Sequence, residues 1–341
     1  MRIVYFGTPQ FAVPGLEQLL AASEIEVAAV VTQPDRRRGR GGKVSPSPVK
    51  AVAEKFDLPV WQPAKIKRDE ATLAQLRATK ADAFVVVAYG QILSQEILDM
   101  PRLGAINGHG SILPAYRGAA PIQWSLYHGE PETGITTMQM DAGMDTGPML
   151  LKETISVGLF DNAWTVAERL SALTADLLIS TLHCLDNQAI RPIPQDPEQA
   201  TYAPLIQKAD YELDWQRPAL ALHNQIRGFY PGCFTQFRQA KLKLSQTIPL
   251  AAAVWSQVVQ DYPGLAEPYG QLEPAEPGTV VALWKGYGPV VAAGEDYLLL
   301  RSLQPAGKKQ QSGWDFANGS RLTIGEKLGK KIPGPVAQGV E

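Results

Sequence analysis

The first 155 residues alternate between short apolar runs and segments of helical periodicity, and this alternation leaves few folds open. MRIVYF (1–6), EVAAVVT (26–32), PVW (59–61), AFVVVAYG (83–90), GAIN (104–107), TGITTMQM (133–140) and MLLKETI (149–155) read as strands. Helical patterns fall between them at 10–22 and 69–79, and a long amphipathic helix is predicted over 163–186. Continuous apolar strands separated by helices predict a parallel-rich sheet covered on both faces, an α/β domain. The pattern changes after residues 191–204 (RPIPQDPEQATYAP), where four prolines interrupt any periodicity. A helix is predicted over 216–229. Beyond it, 233–244, 251–258, 278–284, 288–294 and 296–305 read as short strands separated by turn residues, the pattern of a small β-barrel. The expected organisation is a domain over 1–190, a linker over 191–214 and a second domain over 215–332. Residues 261–277, acidic and proline-rich, read as a solvated excursion between strands.

A chain of 341 residues with 45% apolar side chains can bury two cores without staples. Its two cysteines, Cys184 and Cys233, form no CxxC pair, which favours a reducing compartment. The four histidines show no metal-ligand spacing, so no metal is expected. No apolar run approaches the ~20 residues that span a bilayer, and Pro9 and Pro14 interrupt any signal-peptide core. A soluble, cytoplasmic protein is expected. A net charge of −2 argues against a general nucleic-acid binder, though not against a local basic patch.

Four segments stand out. FGTPQFAVPG (6–15) sits between strand and helix but lacks GxGxxG and the P-loop pattern, so it reads either as a tight turn or as a substrate contact. In INGHGSILPAYRGAAPIQW (106–124), Asn107 and His109 are two apart at a strand end, so their side chains point the same way. That end of a strand is the usual site region of an open α/β sheet. In MQMDAGMDTGPML (138–150), Asp145 reads either as a turn cap or as the carboxylate that orients and charges His109. In QPDRRRGRGGKVSPSPVK (33–50), residues 35–43 carry Arg36, Arg37, Arg38, Arg40 and Lys43 against Asp35 alone, a net of +4. Gly39, Gly41 and Gly42 make that loop flexible. An exposed, solvated loop is the plain reading.

Together and in this order, these segments closely resemble the methionyl-tRNA formyltransferases, within the family that uses 10-formyltetrahydrofolate as formyl donor. INGHGSILPAYRGAAPIQ and DAGMDTG carry the likeness to formyl transfer. FGTPQFA, the QPDRRRGRGGK loop and LQPAGKK (303–309) carry the likeness to the tRNA-specific branch. The resemblance implies a Rossmann-like formyltransferase domain followed by a C-terminal OB-like β-barrel domain. It implies that Asn107, His109 and Asp145 are catalytic and that folate lies against Ser111, Ile112, Leu113, Pro114, Val87, Ala88, Tyr89 and Gly90. It also implies that Arg36, Arg37, Arg38, Arg40, Lys43, Lys308 and Lys309 meet methionyl initiator tRNA, with Arg321, Lys327, Lys330 and Lys331 as further phosphate contacts. A monomer is expected. One departure is Gly108, where the family usually has a larger apolar residue; its position faces away from the site. Other readings are formyl transfer to a small amine, hydrolysis of the formyl-folate, and a non-catalytic RNA-binding protein on the same fold. The last gives no reason for Asn107, His109 and Asp145 to coexist.

Overall fold

The computed structural model describes residues 1–38 and 43–329. It divides into two compact units. The first comprises Met1–Ile122, Pro131–Val157 and Trp164–Leu205; the second comprises Gln123–Glu130, Gly158–Ala163 and the chain from Ile206 onward.

The strands of the first unit are β1 (Arg2–Gly7), β2 (Glu26–Val31), β3 (Arg36–Arg38), β4 (Lys43–Ser45), β5 (Val60–Trp61), β6 (Ala83–Val87), β7 (Ala105–His109), β8 (Glu132–Gln139) and β9 (Met149–Ser156). Seven form one sheet in the order β5-β2-β1-β6-β7-β8-β9. The pairs from β5 to β7 are parallel, and β8 alone runs against the rest. The predicted parallel-rich sheet is therefore present. The chain leaves β1 toward one side and β6 toward the other, so the order reverses between them, and open α/β sheets bind ligands at such a point. β3 and β4 pair as a separate hairpin.

Helices α1 (Val13–Ala21), α2 (Pro48–Lys55), α3 (Glu70–Thr79) and α4 (Gln95–Leu98) connect these strands; α5 is Pro121–His128 and α6 is Ala163–Asp186. The β1 and β6 strands are buried on both faces, so they read as unbroken apolar runs. α6 lays Leu178 and Leu182 on one face of the sheet beside Tyr5, Val85, Val87 and Ile106, while Phe6, Phe84, Val86 and Ala105 face a second core on the other.

The glycine between Asn107 and His109 belongs to this packing. A Cβ at Gly108 would lie 2.7 Å from Thr174 Cγ2 on α6 and 3.7 Å from Val87 Cγ2. The space a larger residue would fill is thus taken by the helix. Gly108→Val should destabilise the protein by about 1–3 kcal/mol through overpacking. Adding Thr174→Ala should return much of that loss in urea unfolding; an unchanged midpoint in Gly108→Val would contradict the close approach.

In the second unit, α7 (Ala219–Gly228) precedes β10 (Phe234–Phe237) and β11 (Ala240–Leu250). The run 233–244, expected as one strand, is a hairpin whose turn residues Arg238 and Gln239 both have positive φ, without the glycine or asparagine that marks such turns. The run 251–258, expected as a strand, is instead a 3-10 turn leading into α8 (Trp255–Asp261). Val254 and Val258, four apart, both pack into the adjoining core, a helical spacing that an eight-residue apolar run does not distinguish from a strand. After α9 (Ala266–Tyr269) come β12 (Val280–Trp284), β13 (Gly288–Ala292), β14 (Tyr297–Pro305), β15 (Gln311–Ser312) and α10 (Gly313–Ser320). The sheet order is β10-β11-β14-β13-β12, with β15 on β14. Lys327 and Leu328 bridge Thr279 and Phe237 at its two ends, so the sheet closes barrel-like.

The acidic segment 261–277 is not a solvated excursion. Leu265 is fully buried, Tyr262 packs edge-on against Phe160, and Tyr269 stacks on Trp255 at 4.1 Å. Its four acids face water, while Tyr262, Leu265, Tyr269 and Leu272, too widely spaced to register as a pattern, cover the adjoining core.

His223 is buried in the second unit. Its Nε2 lies 2.9 Å from the Leu159 carbonyl, to which it donates, and its Nδ1 is 2.9 Å from the Thr247 hydroxyl. A neutral ring satisfies both. Burial, with a smaller contribution from the nearby Arg227 charge, pushes its pKa down to about 4. Unfolded, the ring titrates near 6.5. The unfolded chain therefore holds more protons between these values, and stability falls as pH drops through that window. The loss should reach about 2 kcal/mol at pH 5. Urea unfolding at pH 7.5 and 5.0 should show this difference in the wild type and a much smaller one in His223→Gln.

Candidate functional site

The β7 strand carries Asn107 and His109 to its C-terminal end with both side chains on one side of the sheet. Both are almost buried, at 9% and 6% exposure. Asp145 approaches from the loop after β8. Its Oδ1 lies 3.4 Å from Asn107 Nδ2 and 3.6 Å from His109 Nδ1, and its Oδ2 accepts the Gly118 N–H at 2.9 Å. The three residues that the sequence placed in one constellation are therefore together. The firmest hydrogen bond to the carboxylate comes from a backbone amide rather than from the ring. His109 Nε2 meets the Tyr116 carbonyl at 3.0 Å, so both ring nitrogens face oxygen atoms.

Asp141, not Asp145, closes the turn here. Its Oδ1 accepts from the Gly143 N–H at 3.0 Å and the Thr146 hydroxyl at 2.7 Å. That frees the Asp145 carboxylate to face the site. Asp145 itself has φ +54 and Tyr116 has φ +61. A non-glycine residue held there costs about 1–2 kcal/mol, so both walls of the site are strained by the fold around them.

The loop 111–114 is tied down by four hydrogen bonds. Thr136 Oγ1 donates to the Ser111 carbonyl at 2.8 Å and accepts the Leu113 N–H at 3.1 Å. Lys152 Nζ donates to the Leu113 carbonyl at 2.7 Å. Ser111 Oγ donates to the Ala115 carbonyl at 2.6 Å. Ser111 and Leu113 are buried, while Ile112 and Pro114 are partly exposed. The other predicted wall continues β6. Val87 and Tyr89 are buried, and Ala88 (φ +47) and Gly90 (φ +85) turn the chain outward.

A cleft of about 220 Å³ opens at the switch point and is lined by Thr8, Gln33, Arg36, Ser47, Ala88 and Gly90, among others. Thr8 Oγ1 donates to the Tyr89 carbonyl at 2.9 Å, and Gln33 Nε2 donates to the Gly90 carbonyl at 2.9 Å. FGTPQFA thus shapes the cleft as well as turning the chain. Arg36 is exposed and donates to Gln33 Oε1 at 3.4 Å. The root of the basic segment therefore shares a cleft with Ala88 and Gly90. Of that segment, Arg40 and the side chains of Arg37, Arg38 and Lys43 lie outside the described residues. Lys50 pairs with Asp35 at 2.8 Å, so the single acid near the arginines is already offset.

In the second unit, Lys308 and Lys309 are exposed just after β14. Lys241, which the sequence reading passed over, is the second residue of the neighbouring β11; its carbonyl accepts the Ala306 N–H and its Nζ sits 3.6 Å over the Phe234 ring. Arg321 is exposed, Lys327 is paired with Glu276, and Lys330 and Lys331 lie outside the described residues. Among the described residues no cluster of three or more His, Cys, Asp or Glu could hold a metal ion. No helix of the described residues is long and apolar enough to cross a membrane.

Fold and cluster together define a doubly wound α/β unit with an amide, an imidazole and a carboxylate converging at strand ends, followed by a barrel-like unit. The comparisons agree. The formyl transferase model matches residues 1–182, and the model of its C-terminal domain matches 205–321. The methionyl-tRNA formyltransferase of Trichormus variabilis is 61% identical over 336 residues, covering 96% of this chain and 99% of that one. That of Synechocystis sp. is 55% identical over 326 residues, covering 95% and 99%. Among solved structures, an N-formyltransferase from Helicobacter canadensis, in complex with folinic acid and dTDP-3-aminofucose, superposes with a TM-score of 0.61 at 16% identity. It covers 89% of this chain and 98% of that chain, a likeness of fold. The chain belongs to the formyl transferase family, in the branch of the methionyl-tRNA formyltransferases.

Proposed function

We propose that this protein transfers the formyl group of 10-formyltetrahydrofolate to the free α-amino group of methionyl initiator tRNA, acting as a cytoplasmic monomer. The observation that carries the chemistry is the convergence of Asn107, His109 and Asp145 at the C-terminal end of β7. High identity to methionyl-tRNA formyltransferases over nearly the full chain supports the choice of acceptor. The folate supplies an activated formyl carbon.

The attacking amine carries a proton that must leave, and the formyl oxygen gains charge as the new C–N bond forms. Asn107 Nδ2 is a hydrogen-bond donor at the strand end, and one such donor to a developing oxyanion is worth roughly 3–4 kcal/mol. His109 reaches the same edge. Its hydrogen bond to the Tyr116 carbonyl must loosen for Nε2 to serve the substrate, as resting-state contacts commonly do. Asp145, beside the ring, orients it and helps pass the amine's proton toward the leaving nitrogen. Neither acylation of the protein nor a metal is required by this scheme. The walls at Val87–Gly90 and Ser111–Pro114 would hold the folate. The exposed arginine and lysine residues would follow the phosphates.

The test is formyl transfer to methionyl initiator tRNA, with water and free methionine as competing acceptors. Transfer to the charged tRNA supports the reading. Turnover with water or a small amine alone would discard the tRNA acceptor while keeping the chemistry.

A further inference from the structure

The segment between the two family-matched regions contributes a buried side chain to the candidate site. Residues 193–203 run along the first unit rather than away from it. Ile193 and Met149 exchange backbone hydrogen bonds at 2.8 Å. Arg117 donates its N–H to the Thr201 carbonyl and accepts the Ala203 N–H, both at 2.8 Å. Gly118 has φ +124, and a Cβ there would lie 2.7 Å from the Ala203 carbonyl oxygen, so only glycine lets the two strands of chain approach.

Gln195 lies within this segment and is 8% exposed. Its Nε2 donates to the carbonyls of Asp145 (2.8 Å) and Gly147 (2.7 Å). Its Oε1 accepts from Arg117 Nε at 2.9 Å, and Arg117 is 5% exposed. One buried amide thus joins the two loops that meet at the carboxylate: the loop carrying Asp145, and the loop whose Gly118 N–H holds Asp145 Oδ2. Asp145 sits in a left-handed conformation, so its placement depends on what fixes its carbonyl.

We propose that Gln195 is a positioning residue for formyl transfer, acting through Asp145 by clamping the backbone of its loop to Arg117. The proposal rests on the catalytic reading of Asp145. A buried donor with two carbonyl acceptors is used in full, and removing it frees the loop to relax outward. A shift of about 1 Å in a catalytic group can cost around 100-fold.

The test is a double-mutant cycle of Gln195→Ala with Asp145→Asn, followed by steady-state formyl transfer. Gln195→Met repeats it with the side-chain volume kept and the donor removed. In the wild-type background both Gln195 variants should lower kcat by about 10–100-fold. KM for methionyl-tRNA and for the formyl-folate should stay within twofold. In the Asp145→Asn background they should change the residual rate by less than twofold, because the group they position is already lost. A merely structural role would raise both KM values and multiply through the cycle. Multiplicative losses, or wild-type kcat in Gln195→Met, would overturn the proposal while leaving the catalytic reading in place. Wild-type kcat in Asp145→Asn would overturn that reading, and this inference with it.

Discussion

Asp145→Asn and His109→Ala should each lose roughly two to four orders of magnitude in kcat, with tRNA affinity unchanged. Acid–base assistance typically contributes 10²–10⁴-fold, and both residues sit where that assistance is needed. Asp145→Asn is the sharper variant. An asparagine oxygen can still accept the Gly118 N–H that holds the carboxylate at 2.9 Å. The substitution therefore removes charge beside His109 while leaving its principal anchor intact. Asn107→Ala should cost about 10²–10³-fold, as expected for one oxyanion donor. The measurement is single-turnover formyl transfer with saturating substrates, together with thermal melting to show that the fold is retained. A rate within threefold of wild type in either Asp145→Asn or His109→Ala would remove that residue from the mechanism.

The second large effect concerns the partner. Changing Arg36, Arg37, Arg38, Arg40 and Lys43 together to Gln removes five positive charges that stand against Asp35 alone. Asp35 is already paired with Lys50. Each phosphate contact contributes a slope of about 0.7–0.9 in log affinity against log salt. With four of the five meeting phosphate, their loss should weaken tRNA binding by about 10³-fold at 0.1 M salt and lower the slope by about 3. Filter binding of methionyl initiator tRNA from 50 to 300 mM salt measures both. Formyl-folate binding should not change. An unaltered slope would return the segment to the role of an ordinary solvated loop.

The first unit was legible because its signal is burial. β1, β2 and β6 are apolar runs lying between helices, and the helix over 163–186 appears with the boundaries its periodicity predicts. Asn107 and His109 could be paired from their spacing because a strand alternates faces every residue. The second unit was less legible because its elements are short. An eight-residue apolar run at 251–258 fits a strand or two turns of helix equally well, and the packing of Val258 decided for the helix. The hairpin at Arg238–Gln239 was hidden because its turn residues are ordinary ones held at positive φ by the sheet.

By itself, then, the sequence determined the alternation of buried strands and helices, the pairing of an amide with an imidazole at one strand end, and the density of charge in residues 35–43. All three are local: each follows from the period of a backbone or from neighbours a few residues apart. Tertiary structure alone decided that Asp145, 36 residues beyond His109, comes within 3.6 Å of it. It decided that Gln195, on a proline-broken stretch with no periodicity, spans the carbonyls of Asp145 and Gly147. It also decided that α6 fills the space left by Gly108. Such contacts join residues far apart in the chain, and a buried polar group takes its partners from whatever the fold brings alongside it.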